Sequence, residues 1–267
     1  MESPKVLNQP ATPILIFFLT SLMFSATDSK PYDYLQYVVQ WQPAVCRIPY
    51  WPYTRCNKPI KQVFTIHGLW PSNFSGADVN CRNGTGYDRN EVISIEQKLK
   101  KCWPDMLHDD DHIFWSHEWK SHGRCFPNVF RGQSQYFNKA VGLCYGYNTW
   151  IKSTLADYGI YPSNSRPVSR DRIAASIHGA IGKRPVLRCA GPYFPDFKSD
   201  PGLGYPPSPS SGYQTYVSRK SHQKRKLEVT FENRILLEVI LCFDVKGGDL
   251  IDCPRQTNCR SEIYFLA

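Results

Sequence analysis

Ten cysteines are spread along this 267-residue chain, and they constrain its fold more than any other feature. Their number is even, and none has the CxxC spacing that is typical of a zinc site. In an exported protein such a set predicts disulfide bonds, although counting alone leaves the pairing open. The cysteines are Cys46, Cys56, Cys81, Cys102, Cys125, Cys144, Cys189, Cys242, Cys253 and Cys259.

The N-terminal sequence predicts export. Residues 1–27 combine Lys5, the short apolar run PILIFFLTSLMF and small residues near Thr27, which is the pattern of a secretory signal peptide. A membrane anchor needs roughly 20 apolar residues, and we find no such run, so we expect no membrane anchor. Asn73 in NFS and Asn83 in NGT match the N-glycosylation sequon, which fits a secreted, extracellular protein. We expect residues 28–267 to form a single domain.

The formal net charge is +9, which narrows the class of partner. A secreted basic protein can bind nucleic acid, acidic glycans or membrane surfaces. The charge alone does not choose between them.

Strand and helix patterns are mixed along the chain. Apolar alternation predicts strands in YDYLQYVVQWQPAVC, in KQVFTIHGLWPSN as far as the break at GLWPSN, and in RILLEVILCFDV. Helical spacing predicts a helix over 91–101 and another that begins at Asp109–Asp111, which we interpret as a cap and not as a metal cluster. We expect two helices within SQYFNKAVGLCYGYNTWIKSTLADYGI, and a further helix capped by Ser169 and ended by Gly182. The mixture predicts the α+β class.

The stretch FWSHEWKSHGRC contains the strongest candidate site. Zinc proteases use HExxH, which puts two histidines four residues apart on one helical face. Here His117 and His122 are five apart, so we do not expect a metal or a cofactor. Glu118 and His122 are spaced i and i+4, so their side chains can meet, and a carboxylate favours a protonated imidazole. We expect His67, at the end of a strand beside Trp70, to complete an acid–base site.

Two histidines suffice to cleave RNA through its own 2′-hydroxyl without a metal. One imidazole removes the hydroxyl proton, the oxygen attacks phosphorus, and the second imidazole protonates the departing 5′-oxygen. Positive charge or hydrogen-bond donors must stabilise the phosphorane. The two histidine motifs, flanked by aromatic residues, therefore favour a site for metal-free RNA cleavage over a structural role.

FTIHGLWPSN and FWSHEWKSHGRC resemble the two active-site segments of the T2 ribonuclease family, and VVQWQPAVC, LLEVILCFD and DCPRQTNC resemble other parts of it. The resemblance implies a central antiparallel sheet with several helices, and cleavage to 2′,3′-cyclic phosphates. By position it implies that His122 is the general base, that His67 is the general acid, and that Glu118 assists at the phosphate or orients the base. The implied substrate-binding residues are Gln40, Trp70, Phe114, His117, Lys120 and Ser121.

The resemblance also bears on the disulfide bonds. It implies the pairs Cys81–Cys125 and Cys189–Cys242, local bridges Cys46–Cys56 and Cys253–Cys259, and by elimination Cys102–Cys144.

Two features depart from the family pattern. The family reads HEWxKHG, whereas this chain has HEWKSHG, with Ser121 in the lysine position and Lys120 one residue earlier. One residue turns a helix by about 100°, so we expect Lys120 to point away from the site and activity to be reduced, by an amount on the order of 10²-fold if a donor is lost. Arg124 is a candidate to replace part of that charge. The second departure is a Pro/Ser-rich and then basic insertion around 195–228, which we interpret either as a specificity loop that contacts RNA or as a solvated surface loop.

The basic charge resembles that of the plant S-ribonucleases of pistils, which reject self pollen in self-incompatibility. We therefore expect a monomeric, secreted S-ribonuclease with a pollen-side protein partner. The alternatives are a catalytically impaired RNA- or protein-binding glycoprotein, and a general ribonuclease for phosphate recovery or defence.

Overall fold

The computed structural model describes residues 32–47, 56–77, 79, 81, 84–125, 129–191 and 234–267. An antiparallel sheet forms its centre, with strands in the spatial order β2–β1–β5–β4 and with β6 paired to β5. A second, two-stranded sheet pairs β3 with β7. The strands are β1 (Tyr34–Trp41), β2 (Phe64–Ser72), β3 (Val168–Ser169), β4 (Val186–Ala190), β5 (Ile235–Phe243), β6 (Leu250–Ile251) and β7 (Glu262–Ile263). Together with the helices below, the sheets confirm the α+β class.

The helices lie between these strands in the chain. They are α1 (Gln42–Val45), α2 (Glu96–Cys102), α3 (Asp111–Ser121), α4 (Gln133–Asp157) and α5 (Arg170–Ile181), and a 3₁₀ helix spans Arg89–Ile95. The acidic run caps α3, because the Asp110 side chain accepts a hydrogen bond from His112 N at 3.0 Å. Ser169 caps α5, and Gly182 ends it with a left-handed φ of 68°.

The prediction of two helices between residues 134 and 160 is wrong, because α4 is one continuous helix of 25 residues. Gly142 and Gly146 lie inside it, and each glycine costs about 1 kcal/mol of helix stability relative to alanine. The helix continues through them because one side of it is buried over its whole length, from Tyr136 and Phe137 to Leu155. Tertiary packing of that side outweighs the local propensity.

Strand β2 does not break at GLWPSN as expected, and continues to Ser72. His67 therefore lies inside a strand and not at its end. Because β2 is an outer strand, it tolerates Pro71, which has no N–H to donate. Val38 of β1 lies opposite Gly68, but the next residue, Val39, lies opposite Ile66, so His67 is the extra residue of a β-bulge. A bulge re-aims side chains locally.

Three buried side chains cover the outer edge of β2. Asn148 Nδ2 donates to Phe64 O at 3.2 Å, Trp103 Nε1 to His67 O at 2.9 Å, and the Tyr136 hydroxyl to Leu69 O at 3.1 Å. The carbonyl that points to the outer edge belongs to an even-numbered residue before the bulge, Phe64, and to odd-numbered residues from the bulge onward, His67 and Leu69. The helical layer thus fixes the backbone on both sides of His67.

The two faces of the sheet differ in character. One face carries Leu35, Tyr37 and Trp41 of β1 into the main core, where they pack with Trp103, Trp115 and other side chains of the helical layer. On the other face, register places Glu238 of β5 between Gln40 of β1 and Arg188 of β4. This row of polar residues lies within the sheet, at the level of the bulge.

Five disulfide bonds link the ten cysteines: Cys46–Cys56, Cys81–Cys125, Cys102–Cys144, Cys189–Cys259 and Cys242–Cys253. The expected pairs Cys189–Cys242 and Cys253–Cys259 are wrong. Cys189 lies opposite Leu236 of β5, six residues from Cys242, which is about 20 Å along a strand. Cys242 instead lies opposite Ile251 of β6, and this brings Cys253 within reach.

Some predicted features lie outside the described residues, namely the signal peptide at 1–27, Asn83 and the insertion around 195–228. The division into a signal peptide and one domain therefore stays a prediction. Asn73 lies in the turn after β2, where its Nδ2 donates to Ala77 O at 3.2 Å. Within the described part of the chain, no helix is both long and apolar enough to cross a membrane.

Candidate active site

Strand β2 and helix α3 bring the predicted residues together. Phe114, Glu118 and His122 follow one another at intervals of four residues, so they lie on one side of α3 and its C-terminal cap. The ring centroid of Phe114 lies 5.8 Å from that of His67, and those of His67 and His122 lie 4.9 and 5.1 Å from the Trp70 ring. Both imidazoles therefore contact the same indole.

Glu118 does not orient His122 in the way that the i, i+4 spacing predicted. Its Oε2 accepts a hydrogen bond from Trp70 Nε1 at 2.8 Å. His122 N donates to the backbone carbonyl of Glu118 at 2.9 Å, but among the described residues no hydrogen bond or ion pair joins the two side chains. The reason is that His122 is the C-cap residue, with φ −136° and ψ −48°, and so leaves the helical path. The carboxyl group is instead fixed by the indole.

Gly68 makes this contact possible. A Cβ atom at this position would overlap both Trp70 Nε1 and Glu118 Oε2. The residue between His67 and Leu69 therefore has to lack a side chain, since the indole and the carboxyl group occupy that space.

Sequence reasoning missed Glu238, which contacts His67 directly. Its Oε1 makes a short hydrogen bond with His67 Nδ1, and its Oε2 lies 3.4 Å from Arg188 NH1. Glu238 is 3% exposed, and with Nδ1 engaged, Nε2 is the nitrogen of His67 left to reach a substrate. One signal could have found it: Glu238 is the only charged residue within the apolar run ILLEVILCF of β5.

The two histidines have opposite pKa shifts. Burial alone lowers the pKa of His67, but the charge of Glu238 and the hydrogen bond to it outweigh burial, so the pKa is raised. Burial, with the positive charges of His67 and His117, lowers the pKa of His122 to about 4. The two shifts thus act in opposite directions: that of His67 favours its protonated form, and that of His122 favours its neutral form. Burial also raises the pKa of Glu118 to about 7, and the nearby Glu238 adds to that shift.

The remaining predicted residues surround this centre. Gln40 is buried beside Glu238 in the polar row of the sheet. His117 and Lys120 are exposed on α3, and Ser121 is its last residue. The side chain of Lys120 makes no hydrogen bond or ion pair within the described part of the chain, and that it points away from Glu118 stays a prediction. The side chain of Arg124 lies against Gly84, not at the carboxyl group of Glu118.

Comparison with known proteins gives the family. Residues 32–198 match the model of the Ribonuclease T2 family. The chain belongs to this family. It is 32% identical over 234 residues to ribonuclease MC of Momordica charantia, which covers 88% of this chain and 100% of that protein. It is 30% identical to ribonuclease S-1 of Pyrus pyrifolia, over 66% of this chain and 75% of that protein.

A solved structure of a relative supports the assignment of this chain to the T2 ribonuclease family. A crystal structure of a ribonuclease MC1 mutant in complex with 5′-GMP matches with a TM-score of 0.64 and 29% identity, and covers 87% of this chain and 100% of that one. The chain is therefore an endoribonuclease that cleaves by transphosphorylation without a metal. Within the described residues no group of His, Cys, Asp and Glu could hold a metal ion.

Proposed function

We propose that this T2 ribonuclease cleaves single-stranded RNA with His122 as the general base and His67 as the general acid. His122 removes the proton from the 2′-hydroxyl, and the oxygen attacks the adjacent phosphorus. His67 Nε2 gives its proton to the departing 5′-oxygen, which leaves a 2′,3′-cyclic phosphate and a 5′-hydroxyl. The observation that carries the proposal is that two imidazoles on one indole have pKa shifts in the directions that a base and an acid require.

Glu118 and Trp70 act on the phosphorane in this proposal. Below a pH of about 7, Glu118 is mostly neutral and can donate a hydrogen bond to a phosphoryl oxygen, while Trp70 holds its other oxygen. His117 adds a phosphate contact, and Gln40 and Phe114 contact the substrate. Because Ser121 replaces the family's lysine, the site has one cation fewer, and we expect a rate below that of relatives with the lysine.

Turnover of a single-stranded RNA oligonucleotide tests the proposal. His67→Ala and His122→Ala should each lose activity, and the exposed His178 on α5 offers a matched control, since His178→Ala should keep it. The reaction should continue in the presence of a chelator. If parent and variants are equally inactive while RNA still binds, the impaired RNA-binding protein is correct and the catalytic roles are wrong.

For the biological role we propose a secreted S-ribonuclease of the pistil. The net charge of +9 supports it, as do five disulfide bonds, the predicted signal peptide and the similarity to ribonuclease S-1. The role implies that a protein on the pollen side recognises the enzyme, which acts as a monomer. Protein confined to the pistil, and loss of self-pollen rejection when the gene is silenced, are the expected results.

A second candidate role is general phosphate recovery or defence. The observation that favours it is the identity to ribonuclease MC, which extends over the whole of that protein. Expression in leaves, roots or seeds that rises on phosphate starvation would support this role over the pistil role. Neither outcome changes the catalytic proposal.

A further inference from the structure

A cavity of about 140 Å³ opens next to the active site, on the face of the sheet that carries Glu238 and Arg188. Its apolar lining comes from Val186, Ile240, Cys242 and Cys253. Its polar lining comes from Tyr34, Gln36, Arg188, Arg255 and Gln256. We propose that this cavity binds a second sugar-phosphate unit of the RNA, next to the nucleotides that flank the scissile bond. The inference rests on the proposed roles of His67 and His122.

The cavity is continuous with the active site through two contacts. Gln36 lies directly opposite Trp70 in the pairing of β1 with β2, and neighbouring strands lie about 4.8 Å apart. Arg188 NH1 lies 3.4 Å from Glu238, and its guanidinium lies 5.3 Å from the centre of the Trp70 ring. A chain bound across the two histidines thus passes the mouth of the cavity.

The positive charge of the two arginines that line the cavity favours the binding of an anion. Arg255 makes one hydrogen bond, from Nε to the Tyr34 hydroxyl at 3.3 Å, and no carboxylate lies within ion-pair distance of it among the described residues. The forked guanidinium of arginine matches phosphate oxygens. Arg255 is exposed, and its terminal nitrogens make no hydrogen bond to any residue that the structure describes. Arg188 is partly neutralised by Glu238, so Arg255 is the principal cation of the cavity.

Gln36 provides an independent sign of a ligand. Its side chain is 3% exposed, and Nε2 donates to the Tyr34 hydroxyl and to Ser72 Oγ, but Oε1 has no hydrogen-bond partner among the residues that the structure describes. A buried polar atom without a partner costs about 1–3 kcal/mol, so a group that donates to it is favoured. A ribose hydroxyl supplies that donor while the phosphate accepts from Arg255.

The size of the cavity agrees with such a group. Pockets for whole small molecules measure about 300–1,000 Å³, so this cavity is too small for a complete nucleotide. A phosphate with the edge of its ribose fits the volume and the polar lining, and the base stays outside. The cavity therefore selects for RNA length and not for base identity.

Substrate length tests the inference. UpU has one phosphate, which binds between the catalytic residues and leaves the cavity empty. A uridine pentanucleotide has further phosphates, one of which can fill the cavity. Arg255→Ala should raise KM for the pentanucleotide about threefold to tenfold and leave KM for UpU unchanged. The slope of log affinity against log salt should become shallower by about 0.7, the value for one phosphate of a single strand. Arg260→Ala, which removes an equal charge from the same exposed segment, is the matched control and should change neither.

A binding measurement separates this inference from the catalytic proposal. Fluorescence anisotropy of the labelled pentanucleotide on the inactive His122→Ala protein needs no turnover, and adding Arg255→Ala should weaken binding by the same factor. An equal change for both substrates would place Arg255 in the active site and overturn the inference. An effect no larger than that of Arg260→Ala, or no effect at all, would show that the cavity holds only water.

Discussion

The two histidines that we propose as acid and base lie in regions that are built in different ways. His122 ends a helix that also supplies Phe114 and Glu118, so this half of the site comes from one short stretch of chain. His67 lies on a bulge of an outer strand and depends on Glu238, 171 residues later in the sequence, for its hydrogen bond. The half of the site around His122 comes from residues close together in the sequence. The half around His67 forms only when the strands of the sheet have paired.

The same difference decides the charge of the two rings. His122 has no carboxylate partner within the described residues, so burial dominates and its pKa falls to about 4. His67 has a buried carboxylate, and its pKa rises. Two identical side chains thus take opposite roles because only one of them has a long-range acidic partner. Four experiments test this comparison.

The largest effect should come from removing either ring. General acid or base catalysis contributes about 10²–10⁴-fold, so His67→Ala and His122→Ala should each reduce kcat/KM by that factor. In the parent enzyme the base must be deprotonated, so activity should fall below a pH of about 4; the acid must be protonated, so activity should fall above the raised pKa of His67. His122→Ala should remove the acid limb of the pH profile, and His67→Ala the alkaline limb. Loss of the opposite limbs would reverse the assigned roles.

The next largest effect is on the free energy of unfolding, which should depend on pH through Glu118. The pKa of Glu118 is about 7, above the ordinary 4.5 of an unfolded chain, so the folded protein holds this proton more tightly. Its contribution to stability is complete at low pH and is lost as the pH rises from about 4.5 to 7, by about 3 kcal/mol. Glu118→Gln removes this loss. Urea unfolding at pH 4 and pH 8 should show the variant gaining about 3 kcal/mol over the parent at the higher pH. An equal difference at both pH values would contradict the neutral Glu118.

A third experiment restores the missing cation. Ser121→Lys places a lysine directly before His122, as in the family pattern, and should raise kcat by about tenfold to 100-fold if a donor at the phosphorane is now lacking. Lys120→Ala is the control, and should change kcat little because that side chain is exposed and has no polar partner within the described residues. A large loss in Lys120→Ala would show that Lys120 reaches the phosphate after all.

The smallest effect tests the long-range partner. Glu238→Gln keeps a hydrogen-bond acceptor but removes the charge that raises the pKa of His67. The alkaline limb should move to lower pH, and kcat/KM should fall by about tenfold on that limb, since one pKa unit corresponds to a factor of ten. Glu262→Gln, at an exposed position of β7, is the control. A uniform loss at every pH would indicate a structural role for Glu238 only.

For the local half of the site, the sequence predicted helix α3 but not the contact of Glu118 with Trp70. The cap and course of α3 and the presence of strands β1, β2 and β5 followed from short-range patterns, whereas β4 and the three short strands were not predicted. Contacts that depend on the register of the strands could not be predicted from the sequence. Glu238 could be placed beside His67 only once the pairing of β1 with β5 was known, and the same register decides that Cys242 bonds to Cys253 and not to Cys189.

Two local expectations failed for reasons of packing. Two helices were expected where α4 lies, but the buried side of α4 stabilises it as one continuous helix. GLWPSN suggested the end of β2, but helical side chains satisfy the carbonyls of that strand, which lets it continue past His67.

The covered edge of β2 also restricts how another protein can recognise this enzyme. An outer strand normally offers a row of unused carbonyls to which an extended peptide can add as a further strand. Here Trp103, Tyr136 and Asn148 already occupy three of these acceptors. Strand addition is blocked beside the catalytic histidine, so a protein inhibitor or receptor has to read exposed side chains and loops instead of the backbone.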